Sequence, residues 1–182
     1  MGDLPEDVLL FMAEQGSEIL LSNYHINHLD LNQFSNKNDR GEGAMMLSAL
    51  VSSSSLSSIT HFRCSNNKPW WSEGNESNVE KLCDAIKEMT NLRYLNLENS
   101  LFATEAMCDQ VMSAIVANQK KNPSLTDINL DYAGGFEKNS TFTSFSKEHV
   151  AALRAKGVTI ADSEKEHREM MKLYHPEEKS KK

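Results

Sequence analysis

The sequence predicts an α/β chain built as a stack of strand-then-helix units, and three observations carry that prediction. A pattern apolar-x-x-apolar-x-apolar recurs four times at a constant spacing of 33 residues, beginning at Ile26, Ile59, Leu92 and Leu125. Each copy ends in the alternation of a short strand with one face buried. Each is followed, after a polar loop, by a segment whose apolar residues fall at helical spacing. Strands that alternate with helices pair in parallel, because the helix returns the chain to the end of the sheet at which the preceding strand began.

The elements follow in order. Residues 1–25 precede the first unit, and Val8, Leu9, Phe11, Met12, Ile19, Leu20 and Leu21 predict a helical N-terminal cap there. The first unit opens Ile26-Asn27-His28-Leu29-Asp30-Leu31, and its helical stretch, 43–52, offers Met46, Ala49 and Leu50 as an apolar stripe. The second opens Ile59-Thr60-His61-Phe62-Arg63-Cys64. Its helix is expected over 77–89, with Val79, Leu82, Cys83, Ile86 and Met89 on one face and Ser77-x-x-Glu80 as a capping box. The third opens Leu92-Arg93-Tyr94-Leu95-Asn96-Leu97, and its helix over 104–120 turns Met107, Val111, Ala114 and Ile115 inward. The fourth opens Leu125-Thr126-Asp127-Ile128-Asn129-Leu130, with a helix over 146–156 that carries Val150 and Leu153 inward and stops at Gly157. Val158-Thr159-Ile160 predicts a shortened fifth strand, so the repeat domain spans 26–160. Residues 161–182 predict a last helix, capped by Asp162 or Ser163 and running to Tyr174, whose Met170, Met171 and Leu173 close the end of the stack. The mixed basic and acidic tail from Pro176 is expected to be disordered. Lids at both ends are required because an open stack leaves its terminal cores in water.

These four units resemble leucine-rich repeats with helices on the outer side, the ribonuclease-inhibitor-like kind, over roughly residues 26–160. The resemblance implies a short solenoid with a parallel concave sheet, helices on the convex side, and helical N- and C-terminal caps. Two departures stand out. The unit exceeds the family's usual length of about 20–29 residues, which places the extra residues in the strand-to-helix loops. The position three places after the last strand residue, Asn or Cys in the family, holds Phe34, Asn67, Ser100 and Ala133, so irregular loop hydrogen bonding is expected. Ankyrin repeats share the period, but Thr-Pro-Leu-His is absent and strands open each unit here.

Composition narrows the function. The chain has 182 residues and a net charge of −7, with 39% hydrophobic residues, enough for one domain and consistent with a thin stack that has little interior. An acidic excess argues against nucleic-acid binding by general phosphate neutralisation. No apolar run approaches the roughly 18–20 residues of a membrane helix. The acidic opening Met1-Gly2-Asp3-Leu4-Pro5-Glu6-Asp7 does not read as a leader. Cys64, Cys83 and Cys108 are odd in number and lack a CxxC, which predicts free core thiols, no zinc site and a reducing, cytoplasmic setting. His28, His61 and Asp30 are expected to neighbour one another but to lack a further metal ligand, so no cofactor, metal or catalytic group is predicted.

The expected function is noncatalytic: a protein–protein interaction module, scaffold or subunit of a larger complex. Alternation turns three ladders of side chains to the concave face. The first is His28, His61, Tyr94 and Asp127; the second is Asp30, Arg63, Asn96 and Asn129; the third is Asn32, Ser65, Glu98 and Asp131. Of these, Asp30, Arg63, Tyr94, Asn96, Glu98, Asp127, Asn129 and Asp131 are candidate partner-binding residues, suited by charge to a basic segment of a protein partner. Trp70 and Trp71 stand side by side in the second loop and are expected to touch that partner as rigid aromatic anchors. Phe102, Phe136, Phe142 and Phe145 lie in the loops that follow. An alternative comes from Leu4-Pro5-Glu6-Asp7-Val8-Leu9, which resembles the opening of an F-box and implies an adaptor for ubiquitin ligation. A metal-binding enzyme is the remaining alternative.

Overall fold

The structure is a computed structural model, and it describes residues 28–31, 51, 56–131, 133, 145–161 and 164–174. The predicted N-terminal cap, the F-box-like segment, the first unit's helix apart from Val51, Asn32, Phe136, Phe142 and the tail lie outside them. Among the described residues, five strands form one all-parallel sheet in the order β1-β2-β3-β4-β5. They are β1 (His28–Asp30), β2 (His61–Arg63), β3 (Tyr94–Asn96), β4 (Asp127–Asn129) and β5 (Thr159–Ala161). Four α-helices accompany them: α1 (Glu76–Glu88), α2 (Glu105–Lys121), α3 (Lys147–Arg154) and α4 (Glu164–Tyr174).

Register follows the repeat. His28 pairs with His61, His61 with Tyr94, and Tyr94 with Asp127, each 33 residues on; Asp127 pairs with Thr159. Beyond the three-residue strands the parallel ladder continues, with Leu31 N donating to Arg63 O, Cys64 N to Asn96 O, Leu97 N to Asn129 O and Leu130 N to Ala161 O. The helix starts also follow the sequence. Thr104 caps α2 by accepting from Met107 N, and Ser146 caps α3 by accepting from His149 N. Gly157 ends the fourth unit at φ 83°, the left-handed conformation that a side chain would strain. The capping box expected at Ser77 does not form. α1 begins one residue earlier, after Asn75, and Glu76 Oε1 accepts from Gly74 N instead.

One apolar core joins the sheet to α1, α2 and α3. Phe62, Leu95, Ile128 and Ile160 from the strands meet Val79, Leu82 and Ile86 of α1, Met107, Val111 and Ile115 of α2, and Val150 and Leu153 of α3. Cys64, Cys83 and Cys108 are free and buried in it. Asparagines stitch successive units where helices leave carbonyls unpaired. Asn118 Nδ2 donates to Ile86 O at 2.6 Å and Met89 O at 3.1 Å, and Asn122 Nδ2 donates to Leu92 O at 2.8 Å.

The loops are more regular than expected. Asn67 Nδ2 donates to Leu31 O of the preceding unit, and Ser100 Oγ, at the matching position one unit on, donates to Cys64 O. A hydroxyl thus does in the third unit what an amide does in the second. Asn66 and Asn99, also 33 residues apart, both adopt positive φ and join side chains at 2.8 Å.

Candidate functional site

The tryptophans expected to meet a partner are inside the protein. A one-turn 3-10 helix, Lys68–Trp71, folds Trp70 to 1% and Trp71 to 0% exposure. Trp71 packs against Trp70 edge to face at 5.8 Å and against Phe102 at 5.3 Å, and Phe102 meets Phe145 edge to face at 6.2 Å. Asn78 Nδ2 on α1 donates to Trp70 O, and Ala103 N donates to Trp71 O, fixing the turn from both sides. The physical reason is that one unit cannot bury its own loop; aromatic rings from consecutive loops fill that edge of the core together. Neither indole N–H finds an acceptor among the described residues.

The strand ladders are brought together as expected, on the sheet face opposite α1–α3. Adjacent residues show the alternation: Leu95 belongs to the large core, whereas Tyr94 belongs to a second cluster with Ala161 and Met170. This face is not open, and the expected exposure is corrected for six of its residues. Arg63, Ser65, Tyr94, Asn96, Asn129 and Asp131 are buried, while Glu98 and Asp127 are half-buried. The side chain of Asp30 lies outside the described residues; its backbone pairs with Arg63.

Over β3, β4 and β5 this face is covered by α4. It was expected to close the end of the stack through Met170, Met171 and Leu173; instead Met170 alone of these is buried, Met171 is half-buried and Leu173 is 68% exposed. The working stripe is His167, Met170 and Tyr174, which share one helix face at i, i+3 and i+7. Tyr174 stacks flat on Tyr94, with centroids 3.9 Å apart and planes 2° apart, and its hydroxyl donates to Asp127 Oδ2 at 2.6 Å. His61 meets the same ring edge-on at 5.6 Å and lies 4.0 Å from the His28 ring. Met170 sits with Ala161 and Tyr94. Parallel sheets are stable when both faces are covered, and the apolar bodies of Tyr94 and Ala161 give this face something to bury.

His167 is the polar centre of the contact. Its Nε2 lies 3.4 Å from Glu98 Oε1, its Nδ1 lies 3.0 Å from Asn129 Nδ2 and 4.0 Å from Asp131 Oδ2. With Nδ1 accepting from the Asn129 amide, the ring proton sits on Nε2 and points at Glu98. The acceptors are held by a motif repeated in two units: Asn96 Oδ1 accepts from Glu98 N, and Asn129 Oδ1 accepts from Asp131 N. In the preceding unit Arg63 Nε donates to Ser65 Oγ. Burial pushes the Glu98 carboxyl up, with His167 and Arg63 drawing it back and Asp131 adding to the rise. Burial likewise raises the phenols of Tyr94 and Tyr174, the latter also through its contact with Asp127.

Sequence reasoning missed α4 as an occupant of the ladder. The available signal was the stripe His167–Met170–Tyr174, in which aromatic and imidazole groups match the Tyr94 and carboxylate positions of the face. Among the described residues no cluster of His, Cys, Asp and Glu is arranged to hold a metal ion. No helix of the described residues is long and apolar enough to cross a membrane. No protein-family model, curated protein or solved structure matches the chain.

Proposed function

We propose that this chain is a noncatalytic interaction module, a short leucine-rich-repeat-like solenoid whose ladder face binds a protein segment and which serves as a scaffold or subunit of a larger complex. The carrying observation is that the ladder face already holds a helix, through a ring stack, a phenol–carboxylate bond and an imidazole set between carboxylates. A surface with aromatic, apolar and acidic positions at helical spacing recognises side chains by shape and charge together. The thiols do not compete for a nucleophilic role, since burial pushes Cys83 up to about 11 and Cys108 up to about 12. A reducing, cytoplasmic setting is part of the same reading.

The test is capture by the immobilised full chain from a native extract, compared with His28→Glu and Asp127→Lys. His28 is exposed and Asp127 half-buried, at the two ends of the first ladder. A specific protein whose retention falls by about ten-fold or more in either variant, with an unchanged melt, is the expected result. Retention indifferent to both variants, or no specific retention, overturns the proposal.

A further inference from the structure

Three observations about α4 point the same way. First, its hold is narrow. In 11 residues it buries Met170 and leans on the face with His167 and Tyr174, while Lys165, Glu166, Arg168, Glu169, Lys172 and Leu173 are exposed. A helix of this length is marginal by itself; it persists through those contacts and the ion pair of Glu166 Oε1 with Arg154 Nη2 of α3 at 3.5 Å. Second, the fit is incomplete. Beneath the helix, Glu98 Oε2 and Asn96 Nδ2 are buried without a well-formed hydrogen bond among the described residues, although the Asn96 amide draws the Glu98 carboxyl down. His167 answers one oxygen of Glu98 at 3.4 Å and reaches Asp131 only at 4.0 Å. Third, the charge of the site is acidic. Glu98, Asp127 and Asp131 surround the contact, with Arg63 as the basic neighbour from β2.

We propose that α4 is a displaceable cover on the ladder face, and that the partner is an amphipathic helix bearing a basic residue, an apolar residue three places on and a tyrosine seven places on. This rests on the interaction-module reading and names the class of its partner. Such a helix reproduces the Tyr174 stack and the Met170 contact. A guanidinium at the His167 position also reaches both oxygens of Glu98, or spans Glu98 and Asp131, in the forked geometry that imidazole cannot offer. Because the face is available only when α4 leaves, the apparent affinity of the partner is reduced by the fraction of molecules that are open.

The probe is a blocked synthetic peptide of residues 162–175, titrated into the full chain and into full-length Met170→Asp and Tyr174→Ala, each of which weakens the cover. Both variants are expected to keep a cooperative melt and to bind the peptide about ten-fold or more tighter than the unaltered chain. A peptide carrying His167→Arg should bind at least about three-fold tighter than the native peptide, and one carrying His167→Glu about ten-fold weaker. Equal binding by the unaltered and weakened chains, no binding to either variant, or an Arg peptide no tighter than the native one overturns the proposal. Loss of the cooperative melt in both variants also overturns it, because α4 is then part of the fold and not a cover. A dimer of the unaltered chain that dissociates on adding peptide makes a second copy the occupant and overturns the claim of a foreign partner. Peptide binding without retention of any protein from an extract leaves the cover standing and removes the interaction-module reading, so the two failures are distinct.

Discussion

The two faces of the sheet are closed by different means. On one, Phe62, Leu95 and Ile128 recur at the same register and meet helices that recur with them, so each unit's contacts resemble the next. On the other, the register positions hold His61, Tyr94 and Asp127, three different chemistries, and a single helix from the chain's end bridges them. Repetition builds the first face, and any one contact there is backed by its copies. The second depends on one stack, one phenol–carboxylate bond, one buried methionine and one imidazole, with a single ion pair from Glu166 to Arg154 beside them. Damage to the first face should therefore unfold the chain, whereas damage to the second should open it locally.

That contrast can be broken at several points. The largest effect is expected from Trp71→Ala, which removes a fully buried ring from the loop edge of the core and should cost about 3–5 kcal/mol. Chemical denaturation should register it as a large drop in midpoint; an unchanged midpoint would mean that the ring is not part of the repeat-built core. Asn118→Ala comes next. It leaves the carbonyls of Ile86 and Met89 buried without their donor, at about 1–3 kcal/mol, again in the global transition. Tyr174→Phe keeps the stack on Tyr94 and deletes the bond to Asp127, worth about 1 kcal/mol at this half-buried site. Its signature is local: faster hydrogen exchange over 164–174 with the main melt in place. If the whole sheet exchanges faster instead, the two faces are one cooperative unit.

The smallest effect concerns pH. The Glu98 carboxyl is raised in the folded chain above its unfolded value of about 4.3, so the folded state keeps this proton to higher pH than the unfolded state. Its contribution is therefore most favourable below the unfolded value and is lost as pH rises through the folded value. Glu98→Gln, which cannot ionise, should flatten that part of the stability profile and leave the midpoint at neutral pH equal or slightly higher. A lower midpoint at neutral pH would mean that the attraction to His167 outweighs the cost of burying the charge.

The repeated face was legible before any coordinates because period and alternation are written in the chain. Strand centres and register follow from local rules acting 33 residues apart, and the helix starts after Thr104 and Ser146 and the stop at Gly157 follow from residue type. The loop tryptophans were misread for a definite reason. A polar neighbourhood in sequence, Lys68 to Asn75, is not a wet neighbourhood in space: Phe102, one unit on, packs on Trp71, and Phe145, two units on, packs on Phe102. The same limit hid α4. The residues expected to close the stack were its most hydrophobic ones, and the residues that dock are those whose shape matches a stack, a hydroxyl contact and a pair of carboxylates.

By itself, then, the sequence determined the alternation of strand and helix, the parallel pairing, the in-register ladders and the burial of the three thiols, since each depends on periodicity or on residue type. Only the tertiary structure decided where the chain's last helix lies, that both tryptophans are interior, and which ladder residues are covered. Those outcomes depend on contacts between residues such as Tyr94 and Tyr174 or Asn129 and His167, 80 and 38 positions apart. No local period links such pairs. They are chosen by the apolar area and hydrogen bonds that remain to be satisfied once the repeats have stacked.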